Sequence, residues 1–328
     1  LVAEGLLRAE DRRGTFVAEF RDGVRGAEGL VRGATVGVVG TLHARDEGAG
    51  NHRLWGDTIT GAIERTVTGE GGRLRFVDRW SEGGELRPLP PILDQFRREG
   101  VASVALVGDV EPPSETVPLL RDAGLPFVLV GAGIRAPAAN AVLCDGRASG
   151  HLAASHLLAL GCRKLVFAAP FLADWIEERI EGVRQAVADA GLPASALRLV
   201  PREPEPYARL VDRTRQIYRM PGLALGREIL AGRGRPAIVT VNDLTAFGIL
   251  EAARELGKVA GRDFALIGFD DDPRARFEDL STLRPPLEAM GREAGRLLLA
   301  MAGGGGVPAQ VHLQPDLLPR GSTRGFVP

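Results

Sequence analysis

Lysine is almost absent: of 41 basic side chains only Lys164 and Lys258 are lysines, and the rest are arginine. The arginines are scattered, which excludes an arginine-rich nucleic-acid tail and reads as the imprint of a GC-rich genome. Cysteine is as scarce. Cys144 and Cys162 are the only two and form no C-x-x-C pair, so they read as buried small hydrophobes in a reducing compartment, the cytoplasm. The five histidines, His43, His52, His151, His156 and His312, have no metal-ligand spacing. No apolar run approaches the ~20 residues that span a bilayer. The chain starts Leu1-Val2-Ala3, with neither a methionine nor a basic-then-apolar signal, and it reads as the back part of a longer protein. Neither charge dominates: 41 basic against 42 acidic residues give a net charge of -1, so any contact with DNA must come from a local surface. Enzyme fingerprints are also missing: no phosphate-binding G-x-x-x-x-G-K-[ST], no G-x-G-x-x-G after the first strand, no G-x-S-x-G and no H-E-x-x-H. Gly37-Val38-Val39-Gly40 is too weak for a phosphate loop, and Ser149 and Ser155 lack an evident base and orienter. No catalytic residue, metal ion or cofactor is assigned.

What is present is length and apolar content. At about 100–200 residues per domain, 328 residues that are 45% apolar make two domains or one two-lobed unit. Residues 1–20 stand apart: Leu7–Asp11 and Thr15–Phe20 can pair as short strands across Arg12-Arg13-Gly14, Gly14 supplying the positive φ of a tight hairpin. Residues 21–33, rich in glycine and charge, read as a linker. From Ala34 the pattern alternates strand and helix. Strands are expected at Thr35–Gly40, Leu74–Val77, Val101–Val107 and Phe127–Val130, then at Leu165–Ala169, Leu197–Val200, Ala237–Val241 and Phe264–Ile267. Helices are expected at Leu54–Val67, Pro91–Arg98, Ser114–Ala123, Ala148–Leu160, Trp175–Ala190, Leu244–Leu256 and Leu287–Met301, from their apolar spacing. Gly161, Gly191 and Gly257 fall where a left-handed C-cap wants glycine. Continuous apolar strands alternating with amphipathic helices imply α/β architecture with parallel sheets covered on both faces. Two such series imply two sheets, with Gln310–Leu313 and Leu317–Arg320 as further strands.

Ligands of open parallel sheets bind outside the carboxyl ends of the strands, so the tips matter. Val241 runs into Asn242-Asp243, and Ile267 into Gly268-Phe269-Asp270-Asp271-Asp272-Pro273. Asp243 is placed to cap the following helix. Asn242 sits at the tip with a donor and an acceptor to offer, and Asp270 holds the equivalent tip of the next strand. The aspartate triplet is also open to reading as a metal site or a solvated turn. Arg179 lies near the start of its helix, off the centre of the stripe Ile176, Ile180, Val183 and Val187. Gly182 is one turn on, where a small residue lets another backbone approach.

Several stretches, taken in order, resemble a known family. They are Asp145–Lys164 (DGRASGHLAASHLLALGCRK), Glu178–Gly182 (ERIEG), Val241–Gly248 (VNDLTAFG), Gly268–Asp271 (GFDD), Leu283–Pro286 (LRPP) with Met290-Gly291, and Leu318–Thr323 (LPRGST). Together they are similar to the effector domain of the lac/galactose repressor family. The resemblance implies a type I periplasmic-binding-protein-like fold: two Rossmann-like lobes with parallel sheets, joined by three crossovers. The effector domain then covers 34–324, with an N-lobe of about 34–144 and 284–313 and a C-lobe of about 145–281 and 316–326. Leu1–Ala18 resembles the end of a GntR-type winged helix-turn-helix domain, an arrangement like that of arabinose-repressor-like regulators.

By this resemblance Arg179, Asn242 and Asp270 hydrogen-bond a small effector in the cleft, and Trp55, Phe171 and Trp175 are candidates for an apolar face under a sugar ring. Several sugar-binding members carry an aspartate where this chain has Gly131. Tyr207–Tyr218 reads as extra sequence. Arg12, Arg13 and Thr15 of the wing would touch DNA, although residues 1–33 carry six basic and six acidic side chains. The implied protein is a cytoplasmic, homodimeric transcription regulator, a repressor of a carbohydrate operon that binds operator DNA through its complete N-terminal domain. The alternatives are a solute-binding protein of a transport system, a Rossmann-type enzyme such as a dehydrogenase, and a family member that takes a purine as co-repressor.

Overall fold

The computed structural model describes residues 7–10, 14–17, 33–40, 50–81, 85–108, 113–132, 139–201, 205–206, 218–232, 234–305 and 310–328. A hairpin comes first: β1 (Leu7–Glu10) and β2 (Gly14–Val17) pair antiparallel, Leu7 opposite Val17 and Glu10 opposite Gly14. The chain continues through β3 (Thr35–Gly40), α1 (Gly50–Gly69), β4 (Arg73–Asp78), α2 (Leu89–Arg98), β5 (Ser103–Val107), α3 (Pro113–Asp122), β6 (Phe127–Ala132) and β7 (Asn140–Cys144). Next come α4 (Gly146–Ala159), β8 (Leu165–Ala168), the short β9 (Phe171–Leu172), α5 (Asp174–Asp189), β10 (Leu197–Val200) and the short β11 (Glu205–Pro206). They are followed by α6 (Arg219–Ala231), β12 (Ala237–Thr240), α7 (Asp243–Glu255), β13 (Ala265–Phe269), α8 (Pro273–Phe277) and β14 (Ser281–Arg284). The chain ends with α9 (Leu287–Ala302), β15 (Gln310–Leu313) and β16 (Asp316–Leu318).

These elements form two compact units, Leu1–Cys144 with Pro286–Gln314, and Asp145–Pro285 with Pro315–Pro328. The first holds a six-stranded sheet in the order β15-β7-β6-β5-β3-β4, every pair parallel. Side chains alternate across it. Val36 and Val38 join Ile59, Ile63 and Val67 of α1 and Met290, Ala294 and Leu298 of α9 on one face. Val39 and Leu106 join Leu89, Ile92, Leu93 and Phe96 of α2 on the other. That alternation is the period of two of a strand buried on both sides. Gly37 interrupts β3 because the Phe96 ring stands 2.6 Å from where its Cβ would be.

The second unit has the order β10-β8-β12-β13-β14-β16, parallel except for β14 with β16. Phe167, Val239 and Ile267 pack with Ile176, Ile180 and Val183 of α5 and Ala153 and Leu157 of α4. On the opposite face Val166, Ile238 and Leu266 pack with Ile229 of α6 and Ala246, Ile249 and Leu250 of α7. Adjacent strands β8 and β12 send the chain in opposite directions, to β10 and to β13, so the switch point lies between them.

Six elements went unread in the sequence: the short β9, β11 and α8, and the longer β7, α6 and β14. β7 is a five-residue run that opens on the polar Asn140. α6 carries Pro221, Gly222 and Gly226, which read as breakers. Pro221 is tolerated in the first turn, where its missing N–H would have no acceptor. β14 opens with Ser281 and Thr282, polar side chains that are fully buried because each finds partners: Ser281 Oγ bonds Thr323 Oγ1 at 2.7 Å, and Thr282 Oγ1 bonds Asp243 Oδ1 at 2.8 Å. Among the described residues no helix is long and apolar enough to cross a membrane.

Candidate functional site

The site is built on the second unit at the tips of β12 and β13 and the first half of α5. Arg179 is buried, its side chain 6% exposed, although it is an arginine on a helix. Four neighbours hold its guanidinium. Its Nη1 donates to the carbonyl of Val241, its Nη2 stands 3.6 Å from Asp270 Oδ1, and its carbon lies 4.8 Å from the Trp175 ring centroid and 4.3 Å from that of Phe269. Nε is left over: it is buried and has no hydrogen-bond partner. An orphaned buried donor costs about 1–3 kcal/mol, so such atoms call for an explanation.

Asn242 takes the capping role expected of Asp243. Asn242 is the N-cap of α7, its Oδ1 accepting from Thr245 N at 3.0 Å and Thr245 Oγ1 at 2.9 Å. Asp243 does not cap. It is fully buried, and it accepts from Thr282 Oγ1 at 2.8 Å and from Asp272 N at 2.9 Å. The cap fell one residue earlier because β12 ends at Thr240, which makes Asn242 the last non-helical residue. A Cβ on Gly268 would lie 2.0 Å from Asp243 Oδ1, so glycine is required there to admit the carboxylate.

The aspartate triplet is a strained turn with every member engaged. Asp270 and Asp271 have φ of 100° and 48°, a region that non-glycine residues seldom occupy and that gathers at functional sites. Asp271 accepts from Arg284 Nε at 2.7 Å and Arg320 Nη2 at 2.6 Å, and Asp272 caps α8 through Arg274 N at 2.8 Å. This occupation replaces the metal and solvated-turn readings. Asp270 alone keeps its carboxylate for the Arg179 pair.

Burial pushes the Asp270 carboxyl up to about 6, against the pull of Arg179 and with a further push from Asp272. Burial and the charge of Asp270 raise Asp243 well above its usual range, and burial raises Asp272. Such a group binds a proton more readily in the folded than in the unfolded chain. It therefore stabilises below the unfolded value, and that stability is lost as pH rises toward the folded value. Asp270→Asn is expected to remove this contribution. The stability difference between wild type and variant, followed by urea denaturation, should shift against the wild type between about pH 4 and pH 6 and stay level above. A difference constant across that window would contradict the assignment.

The other candidates fall in different places. Trp175 is half-buried, edge-on to Phe171 at 6.2 Å. Phe171 is wholly buried in the core of the second unit, tilted against Tyr218 at 5.5 Å. Trp55 belongs to the first unit, where it packs on the core below α1 and α9. Gly131 lies within β6, opposite Leu143 of β7. Thr15 pairs with Ala9 in the hairpin, while Arg12, Arg13, His43 and residues 207–217 lie outside the described residues. Phe269 was missed, although its place beside Asp270 was the available signal. Ser155 has neighbours after all: His151 Nδ1 is 3.4 Å from its Oγ, and His151 Nε2 is 2.9 Å from Asp189 Oδ2. Acyl transfer also needs oxyanion donors, and in the middle of α4 the nearby backbone N–H groups are spent within the helix.

Comparison with known proteins agrees with this architecture. A family model described as a periplasmic binding protein-like domain matches residues 154–323. The HTH-type transcriptional regulator MalR of Streptomyces coelicolor is 34% identical over 233 residues, 68% of this chain and 64% of that regulator, so the match spans just under two thirds of its length. A regulatory protein of the LacI family from Chloroflexus aggregans superposes with a TM-score of 0.69 at 25% identity, covering 88% of this chain and 98% of the other. The transcriptional regulator CelR in complex with cellobiose has a TM-score of 0.68 at 22% identity, covering 89% of this chain and 85% of that one. By the family match and by its two parallel-sheet units, the chain belongs to the periplasmic binding protein-like family, in the form carried by LacI-type regulators.

Proposed function

We propose that this chain is the effector-sensing part of a transcription repressor for a carbohydrate operon and that it binds a neutral, sugar-sized ligand at Arg179, Asn242 and Asp270. The observation that carries the reading is the orphaned Nε of Arg179, buried beside a carboxylate at a strand tip. A ligand oxygen would satisfy it. Asn242 has spent its oxygen on the cap, so its amide nitrogen is left to donate, while the Asp270 carboxylate accepts from a hydroxyl. One cation and one carboxylate cancel, which favours an uncharged polyol over a sugar phosphate. In the full protein the hairpin of β1 and β2 would be the wing of a winged-helix DNA-binding domain, with Arg12, Arg13 and Thr15 toward DNA, and two copies would pair to read an operator. The ligand would act by binding one of two states of the regulator more tightly, and the response cannot exceed that difference in affinity.

A thermal-shift panel of cellobiose, maltose, D-ribose, glucose 6-phosphate and hypoxanthine tests the reading. At about 100 times its dissociation constant a ligand adds about 2.7 kcal/mol, so a neutral sugar should raise Tm by several degrees and the phosphate should not. Stabilisation by hypoxanthine alone, or by no sugar at millimolar concentration, would refute the sugar assignment.

A further inference from the structure

The Arg179 side chain is an unusual hydrogen-bond donor because its flexibility has been removed. Arginine has many rotamers, and a ligand that must freeze them loses affinity. Here Nη1 is fixed by the Val241 carbonyl and Nη2 faces Asp270, but two anchors at one end leave the plane of the guanidinium free to tilt. The rings limit that tilt. Trp175 precedes Arg179 by one helical turn on α5, where residues i and i+4 share a face. Phe269, 2% exposed, ends β13 immediately before Asp270. Both ring centroids are within cation–π range of the guanidinium carbon, at 4.8 and 4.3 Å.

We infer that Trp175 and Phe269 are positioning residues: they hold the Arg179 guanidinium in the one plane that turns Nε toward the ligand, and Trp175 acts through this stacking instead of serving as the floor under a sugar ring. The inference rests on the ligand site proposed above. Without ligand the same stacking explains how a buried guanidinium tolerates an unpartnered N–H. The ring faces supply the electrostatic stabilisation that water would otherwise give.

Two readouts, one free of any ligand, test this on the protein as it stands. In a deuterated sample the side-chain Nε–Hε resonance of Arg179, assigned by its loss in Arg179→Lys, should be displaced by ring currents and slow to exchange with water. In Trp175→Leu and in Phe269→Leu, which keep apolar bulk without a ring, it should move toward the free-arginine position and exchange faster, while Trp175→Phe retains most of the wild-type behaviour. Affinity for whichever of cellobiose, maltose and D-ribose binds the wild type should fall roughly tenfold in each leucine variant and recover in Trp175→Phe. A resonance unmoved in both leucine variants overturns the inference, and so does an affinity unchanged where the resonance has moved. If the wild type binds none of the three sugars, the sugar-binding reading falls, and the resonance alone then decides whether the rings hold the guanidinium.

Discussion

Replacing Arg179 by alanine is expected to abolish ligand-induced thermal stabilisation while leaving a folded protein. Two effects oppose each other in the unliganded chain. Removing one partner of a buried ion pair costs about 3–5 kcal/mol when the other charge is stranded. Asp270 has an escape, because its carboxyl already sits near 6 with the cation in place, and loss of the cation lets it take up a proton and become neutral. The variant also sheds the orphaned Nε. The expected loss of stability at pH 7 is therefore well below that full penalty, and it should shrink further toward pH 5. Binding has no such compensation. The bond from Nε goes with the side chain, and the bond to Asp270 loses its charge once that carboxyl is protonated; at about 1.5–3 kcal/mol each these amount to a loss of about a hundredfold to ten-thousandfold in affinity. The double variant Arg179→Ala/Asp270→Asn should recover stability at neutral pH without recovering binding. Calorimetric titration with the sugar that binds the wild type, beside denaturation at the two pH values, separates these effects. An Arg179→Ala protein that is still stabilised by that sugar would remove Arg179 from the site.

The strand–helix alternation was legible because it is written in periodicity. The continuous apolar run Thr35–Gly40 and the spacing of Ile176, Ile180, Val183 and Val187 allow few other structures, and Gly161, Gly191 and Gly257 take φ of 92°, 69° and 65° at their helix ends. What stayed hidden depended on partners far away in sequence. Ser281 and Thr282 look like turn residues until Thr323 and Asp243 are brought against them, and nothing local marks Phe269 as a neighbour of α5. Asn242 and Asp243 show a finer limit. Both are good N-cap residues and both are buried, and a boundary one residue off changes which of them caps. An arginine near a helix start reads equally well as solvated or sequestered. Only the approach of β12 and β13 settles it.

The largest stability effect should come from Gly182. A Cβ there would lie 1.9 Å from the carbonyl oxygen of Arg147 and 2.7 Å from the nitrogen of His151, and one on Gly150 would lie 1.9 Å from the carbonyl oxygen of Arg179. The backbones of α4 and α5 therefore touch through a reciprocal pair of glycines. Gly222 and Gly248 play the same part between α6 and α7, with distances of 2.4 Å to Thr245 O and 2.2 Å to Arg219 O. Overpacking usually costs about 1–3 kcal/mol because side chains rotate away. Here the obstacle is backbone, which cannot rotate, so Gly182→Ala is expected to cost more than about 3 kcal/mol despite the roughly 1 kcal/mol by which alanine surpasses glycine inside a helix. Gly61→Ala on α1 is the control: its Cβ would meet only the end of the Arg65 side chain at 3.4 Å, and the variant should gain a few tenths of a kcal/mol or more. The same collision reaches the site. Spreading α4 from α5 shifts Arg179, three residues before Gly182, away from the Val241 carbonyl that orients it. A partly folded Gly182→Ala protein should accordingly lose ligand affinity beyond its loss of stability, whereas Gly61→Ala should bind as the wild type does. Urea denaturation of both variants, with titration of the sugar that binds the wild type, would show this, and equal stability for Gly182→Ala and wild type would mean that the two helices are not in backbone contact.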